Sequence, residues 1–303
     1  MLDTSSRLSL MGRLMPGIMR LRRSNKNHRT RDRVQSYLDY RVRNPEPSDP
    51  PRQPQKDVSI SESAEHGWRV FTVSPTGAEA HGTVVYLHGG GWMNEAVSQH
   101  WKLVQQIAAE ASVKVILPAY PLVQAGGTAE TVVPIVSRIS ERVEGPLVLM
   151  GDSAGGTIAM STSFLLKERG RPADLTVLIA PALDMRMQNP EMDEIQPLDP
   201  WLVKKGQLLL TEMWIGENGN DPILNPFLGN TRGAGKILVF SGTRDLLNPD
   251  TRIFVRNAIT AGGDVDYYEQ DGHLHVYPLL PTPEGKQARN AIVNAVRRTT
   301  ETR

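Results

Sequence analysis

The sequence predicts an α/β fold, an open, mostly parallel twisted sheet with helices on both faces, and three observations carry that prediction. Short β-rich runs alternate with longer helical patterns from residue 68 to the end of the chain. Five of those runs are apolar in the way of strands buried on both faces of a parallel sheet. One connection between two of them, from Met185 to Gly235, is about fifty residues long, whereas ordinary strand–helix connections take about 2 to 6.

Taken in order, Asn44 to Gln55 holds Pro45, Pro47, Pro50, Pro51 and Pro54. That density suits neither helix nor strand and reads as an extended connector. It separates a basic N-terminal segment, the two together covering residues 1–55, from a core over 56–303. Trp68–Val73 and Thr83–Leu87 are expected to pair as an antiparallel edge. Val113–Leu117, Leu147–Met150, Leu175–Ile179, Ile237–Phe240 and Val265–Tyr268 are the five buried strands. Helical patterns fall between them at Ser98–Ala111, Ala129–Val143, Gly155–Glu168 and Pro249–Ala261, and a last helix at Pro283–Arg298 closes the chain. The long interval, at about 185–235, contains a helical piece over Leu202–Trp214 with an apolar face. An insertion of this size beside the carboxyl edge of a sheet is expected to cover a site there, as a helical cap.

Composition narrows the classes. A 303-residue chain that is 39% hydrophobic and 22% charged is ordinary for a globular protein. No run approaches the roughly 20 apolar residues a membrane span requires. With no cysteine, disulfides, thiolate metal sites and a cysteine nucleophile are excluded. The net charge of +1 conceals an asymmetry: residues 1–43 carry eleven Lys or Arg against Asp3, Asp32 and Asp39, a balance of +8 that leaves −7 for the rest. Arg13, Pro16 and Gly17 interrupt the apolar stretch Leu8–Met19 and no small-residue cleavage site follows, so a cytoplasmic location is expected. Leu8, Leu10, Leu14, Ile18 and Leu21 approximate one helical stripe. Residues 1–43 are therefore expected to form a mobile part of the cap that touches anionic membrane surfaces, the alternative being a solvated basic helix packed on its own core.

The strongest local signal is Gly151-Asp152-Ser153-Ala154-Gly155, which follows a strand and opens a helix. This is the G-x-S-x-G nucleophile elbow in its required context. The strained turn would expose the Ser153 hydroxyl, and the helix start beneath it would aim backbone N–H groups, that of Ala154 above all, at a developing oxyanion. A Gly-rich turn is the plainer reading of the pentapeptide alone. His88-Gly89-Gly90-Gly91-Trp92, at the end of Thr83–Leu87, supplies the context. Three consecutive glycines there fit an oxyanion-hole loop in which Gly90 and Gly91 donate alongside Ala154. A phosphate loop is the alternative, but no Gly-Lys-Ser/Thr follows.

A serine hydroxyl needs a base, and in this order of elements the acid and the histidine follow the serine. Only His273 and His275 lie beyond Ser153, both just past the last core strand; His275 is preferred for its spacing from Gly272. Asp245, in Ser241-Gly242-Thr243-Arg244-Asp245, is placed to orient it, a turn aspartate at a helix start being the alternative. Asp184 competes but follows the strand before the insertion, one strand too early, and a structural role is expected for it. Asp152 is expected to point away from Ser153 and to hydrogen-bond locally.

On these four motifs, HGGGW at 88–92, GDSAGG at 151–156, Ser-Gly-x-x-Asp at 241–245 and Gly-x-x-His at 272–275, the chain resembles the hormone-sensitive-lipase-like branch of the α/β-hydrolase esterases and lipases. The resemblance spans roughly residue 65 to the C-terminus. It implies a serine esterase or lipase that needs no cofactor or metal, with Ser153, His275 and Asp245 as its triad, and a cap built from an N-terminal helical segment and an insertion before the acid-bearing strand. Where the family continues Tyr120-Pro121-Leu122 with a Pro-Glu pair, this chain has Val123-Gln124-Ala125, and His273 is additional. The expected partner is a small-molecule ester with a short to medium acyl chain and no nucleic acid, a homodimer being left open. An arylformamidase-like amidase and a non-catalytic ligand-binding member of the fold are the rival readings.

Overall fold

The apolar runs assemble into one eight-stranded sheet in the computed structural model, which describes residues 8–22, 25–27, 29–216 and 218–301. Two helices come first, α1 (Leu10–Leu21) and α2 (Arg31–Arg43), then β1 (Val58–Glu65), β2 (Trp68–Pro75) and β3 (Thr83–Leu87). There follow α3 (Ser98–Ala111), β4 (Lys114–Pro118), α4 (Ala129–Glu141), β5 (Leu147–Asp152), α5 (Ala154–Glu168) and β6 (Leu175–Ile179). The long connection holds α6 (Glu191–Ile195) and α7 (Lys204–Ile215), and β7 (Lys236–Gly242), α8 (Asn248–Thr260), β8 (Asp264–Gln270) and α9 (Pro283–Glu301) complete the chain. The strand order is β1-β2-β4-β3-β5-β6-β7-β8, parallel from β4 to β8.

Every residue of β3, β5 and β6 is buried, because helices cover both faces and successive side chains point into different layers. Val85 and Leu87 join one core with Leu149, Ile158 and Phe254, under α4, α5 and α8. Val84 and Tyr86 join the other with Trp101, Phe240 and Val293, under α3 and α9. The two N-terminal helices divide between these layers: Val34 and Leu38 of α2 enter the first, Met15 and Met19 of α1 the second.

The expected pairing of Trp68–Val73 with Thr83–Leu87 is wrong. β2 runs antiparallel to β1 and to β4 (Val70 opposite Pro118), while β3 lies between β4 and β5. An all-apolar strand needs neighbours on both sides, and β4 and β5 supply them. The partner that β2 takes instead is β1, an edge strand too polar to announce itself, joined through His66 and Gly67, both at positive φ, the backbone of a two-residue hairpin turn.

The apolar stripe read on α1 also points the other way. Leu10, Leu14 and Leu21 are 68%, 52% and 87% exposed, and the buried side is Gly12, Met15, Pro16 and Met19. Leu8 and Ile18 are half-buried. The helix is apolar around more than half its girth, so periodicity alone does not choose the inner face. Part of the charge assigned to residues 1–43, on Asp3, Arg7 and Arg23, lies outside the described residues. Among those residues no helix is long and apolar enough to cross a membrane.

Candidate active site

The loops that leave the carboxyl ends of β3, β5, β7 and β8 meet at one point. β5 ends at Asp152, and Ser153 then adopts φ 51° and ψ −118°, an energetically costly backbone for a residue with a Cβ. It is held there by its N–H, which donates to Ile179 O (2.9 Å), and by its carbonyl, which accepts from Ala182 N–H (3.1 Å). A Cβ on Gly151 would strike the carbonyl of Gly155, and one on Gly155 would strike that of Leu87. Both glycines are therefore required by space. The turn leaves the Ser153 side chain facing a cavity and starts α5 at Ala154, whose N–H belongs to the helix's first turn, free of intrahelical partners.

His275 lies five residues beyond β8, and its Nε2 is 2.9 Å from Ser153 Oγ while its Nδ1 is 2.9 Å from Asp245 Oδ2. The carboxylate keeps the proton on Nδ1, so Nε2 is free to accept the hydroxyl hydrogen. Asp245, fully buried in the turn after β7, also accepts Leu247 N–H on Oδ1 (2.9 Å). Burial works to lower the His275 pKa, but the carboxylate of Asp245, helped by Asp199 and Asp152, outweighs it and holds the imidazole above its ordinary 6.5. The other histidine, His273, is buried among different partners. Its Nε2 is 3.4 Å from Glu284 Oε2 of α9, and Glu284 also accepts from Ser9 at the start of α1. Asp184 is likewise elsewhere, chelated by Arg186 at 2.8 and 2.9 Å.

Gly90 and Gly91 line the same cavity as Ser153 and His275. Gly90 has φ +122°, and a Cβ there would press on the Asn94 carbonyl. The loop is braced from three sides. Tyr120 donates to His88 O (2.7 Å), Gln124 to Met93 O (3.0 Å), and Asn94 to Gly90 O (3.1 Å). Gln124 thus supports the loop at the place where the resemblance would put a Pro-Glu pair. Asn94 in turn accepts the Tyr37 hydroxyl (2.6 Å), which accepts from Arg41 Nε (2.7 Å), so a chain of hydrogen bonds runs from α2 to the glycines. Burial drives His88 down to about 4, and it is neutral, donating from Nδ1 to Gly89 O (2.7 Å).

The expectation of local bonding for Asp152 is corrected. It accepts the Tyr86 hydroxyl (2.5 Å) and Gly89 N–H (2.9 Å), and His100 Nε2 lies 3.3 Å away. This buried carboxylate draws its partners from β3, the glycine loop and α3, and so ties the elbow to that loop.

The cavity above Ser153 measures about 640 Å³. Met15 and Met19 of α1, Tyr37 and Arg41 of α2, and Trp201 and Leu202 of the β6–β7 connection form its walls. α2 packs on α7, with Arg31 on Glu212 at 2.7 Å. Sequence reasoning did not find Tyr37, Asn94 or Asp199. The last had a faint signal in Asp199-Pro200-Trp201, a turn-forming pair before an aromatic residue; the first two had none.

A family model described as the alpha/beta hydrolase fold matches residues 84–279. A triacylglycerol lipase of Mycobacterium tuberculosis is 29% identical over 228 residues, 72% of this chain and 47% of the lipase, so the chain spans about half the length of that relative. An acetyl-hydrolase of Streptomyces hygroscopicus is 25% identical over 68% of this chain and 72% of its own length. A crystal structure of an esterase from the bacterial hormone-sensitive lipase family superposes with a TM-score of 0.76 at 23% identity, covering 97% of this chain and all of that one. With more than half of its length inside the matching model, this chain belongs to the alpha/beta hydrolase fold family.

Proposed function

We propose that the protein is a serine carboxylic-ester hydrolase acting on short- to medium-chain acyl esters. The observation that carries this reading is the imidazole of His275 suspended between Ser153 Oγ and Asp245 Oδ2, 2.9 Å from each, with Ser153 and His275 both lining one cavity. Ser153 Oγ attacks the ester carbonyl carbon as its proton passes to His275 Nε2, and the carbonyl π pair moves onto oxygen. Gly90, Gly91 and Ala154 N–H groups stabilise that oxyanion, each such donor being worth about 2.7 to 4 kcal/mol. Collapse expels the alcohol, which takes the proton from Nε2, and leaves an acyl-serine. Water repeats the sequence, with His275 again as base, and releases the acid and free Ser153. Asp245 fixes the tautomer throughout.

Residues 1–55 and the stretch at about 185–235 act as the cap, a reading supported by the cavity walls that α1, α2 and the Trp201 segment provide. The names of the relatives, a triacylglycerol lipase and an acetyl-hydrolase, agree with an acyl ester as substrate. Peripheral contact with an anionic membrane surface is a second reading favoured by one observation: Leu10, Leu14 and Leu21 are exposed beside Arg13 and Arg20.

A series of p-nitrophenyl esters of increasing chain length, run against the matching anilides, tests the reading. Turnover that is highest on short to medium esters and at least about a hundredfold lower on amides is expected; preferential amide cleavage would move the protein to the amidases. No turnover of either class by folded protein would leave a binding role.

A further inference from the structure

The β6–β7 connection brings a second aspartate to the triad. Asp199 is 5% exposed, and both its oxygens are occupied by backbone donors from two separate segments. Oδ1 accepts Trp201 N–H (2.7 Å) and Leu202 N–H (3.0 Å); Oδ2 accepts Leu246 N–H (2.8 Å), the residue that follows Asp245. The first segment carries the Trp201 ring, which meets the His275 imidazole edge-on, at 5.8 Å between centroids and 88° between planes. The second carries the carboxylate that His275 Nδ1 faces. One side chain therefore sets the separation of the two surfaces between which the base is held.

A carboxylate in so dry a place is costly unless donors compensate it, and three charge-assisted hydrogen bonds do so here. Its own acidity is weakened: burial, then the neighbouring Asp245, push the Asp199 carboxyl up to about 6, against the pull of His275. The carboxylates whose charge acts on the imidazole are Asp245 from the turn after β7, which touches it, and, without direct contact, Asp199 from the β6–β7 connection and Asp152 from the end of β5. Two of these are accounted for by the elbow and the triad; Asp199 is not.

We propose that Asp199 is a positioning residue for the base, clamping the Asp245 turn and Trp201 around His275 and adding a second negative charge beside the imidazole. This rests on the reading of His275 as the base. In a neutral amide of the same shape an NH₂ group replaces one accepting oxygen and faces either Leu246 N–H or the N–H groups of Trp201 and Leu202, so a carboxylate serving only to join two loops would show its loss in stability and turnover with the His275 titration unmoved. Loss of a carboxylate that also acts on the base would lower the His275 midpoint as well, because a positive imidazolium loses a stabilising neighbour when the charge goes.

Asp199→Asn in the full chain separates the two. The His275 ring titration is followed by NMR on protein labelled with ¹⁵N-histidine, which requires no turnover, and kcat and KM are measured on a p-nitrophenyl ester. The His275 midpoint is expected to fall by about half a pH unit or more, since an opposite charge nearby favours the protonated ring. The acidic limb of kcat/KM should fall with it, and kcat should drop roughly tenfold with KM within about twofold. An unchanged His275 midpoint in folded Asp199→Asn overturns the proposal, whatever kcat does. If that variant does not fold, Asp199→Ser, smaller and still able to accept one N–H, is held to the same two outcomes. A wild type without esterase activity would strike at the base assignment itself, while the NMR midpoint would still report whether Asp199 acts on His275.

Discussion

At the carboxyl edge of the sheet every group assigned to chemistry follows a strand within five residues: Gly90 after β3, Ser153 after β5, Asp245 after β7, His275 after β8. In the N-terminal helices and the β6–β7 connection, which wall the cavity, the side chains that reach inward follow no such rule. Strand ends are fixed by backbone pairing through two packed layers, so a residue a few places beyond one has little choice of position. A helix laid on the surface has a rotation still to be settled, and α1 shows the consequence, presenting Met15 and Met19 to the interior and Leu10 and Leu14 to solvent. On the proposed function, the edge would supply the reaction and the walls its selectivity and bracing.

That contrast is broken most severely by removing the base. His275→Ala should lower kcat by about 10⁴-fold or more, in line with the loss of a triad member; a folded variant with near-normal turnover would end the assignment. The wild-type pH profile carries the same claim. An imidazole must be neutral to take the serine proton, and the three carboxylates hold His275 above 6.5 against its burial. The acidic limb of kcat/KM should therefore have its midpoint above 6.5, and one lying well below that value would contradict the geometry.

Asp245→Asn should follow, at roughly 10³- to 10⁴-fold in kcat with little change in KM, because the acid orients the base and does not touch substrate. A variant impaired chiefly in KM would point to a role in binding. The first test of the walls is Tyr37→Phe, which deletes a hydroxyl within the chain from Arg41 to Asn94 and Gly90. If α2 braces the glycine loop, kcat should fall by about tenfold while KM stays within about twofold. No change in either would show that Asn94 holds the loop unaided.

Smaller again is the effect of Met19→Ala, which widens the cavity beside α1 and should shift the preferred acyl chain upward by a few-fold in relative kcat/KM. An unaltered preference would remove α1 from the selectivity account. His273→Ala should retain activity to within about threefold and show its loss in thermal stability, since the ring packs away from Ser153 beside Glu284 and Tyr277. Substantial loss of turnover there would mean that the start of α1 governs the site.

Much of this was legible in the residues because the relevant constraints are local. The elbow needs glycines where a Cβ would meet backbone, and the glycine loop needs positive φ at Gly90; both requirements leave a mark within five residues. The unread part depends on contacts between distant segments. β1 is polar enough to pass for a loop until β2 pairs with it. Asp152 looks like a turn residue until Tyr86 and Gly89 are brought against it. Asp199 stands 46 residues before Asp245, and only the folded chain sets it against Leu246.

The most direct test of the edge as a catalytic centre is covalent labelling of the resting protein by a fluorophosphonate, followed by peptide mass spectrometry. The account predicts one adduct per chain, on Ser153, formed in wild type and slowed by orders of magnitude in His275→Ala. A folded wild type that stays unmodified, or that carries the label on another residue, would contradict it.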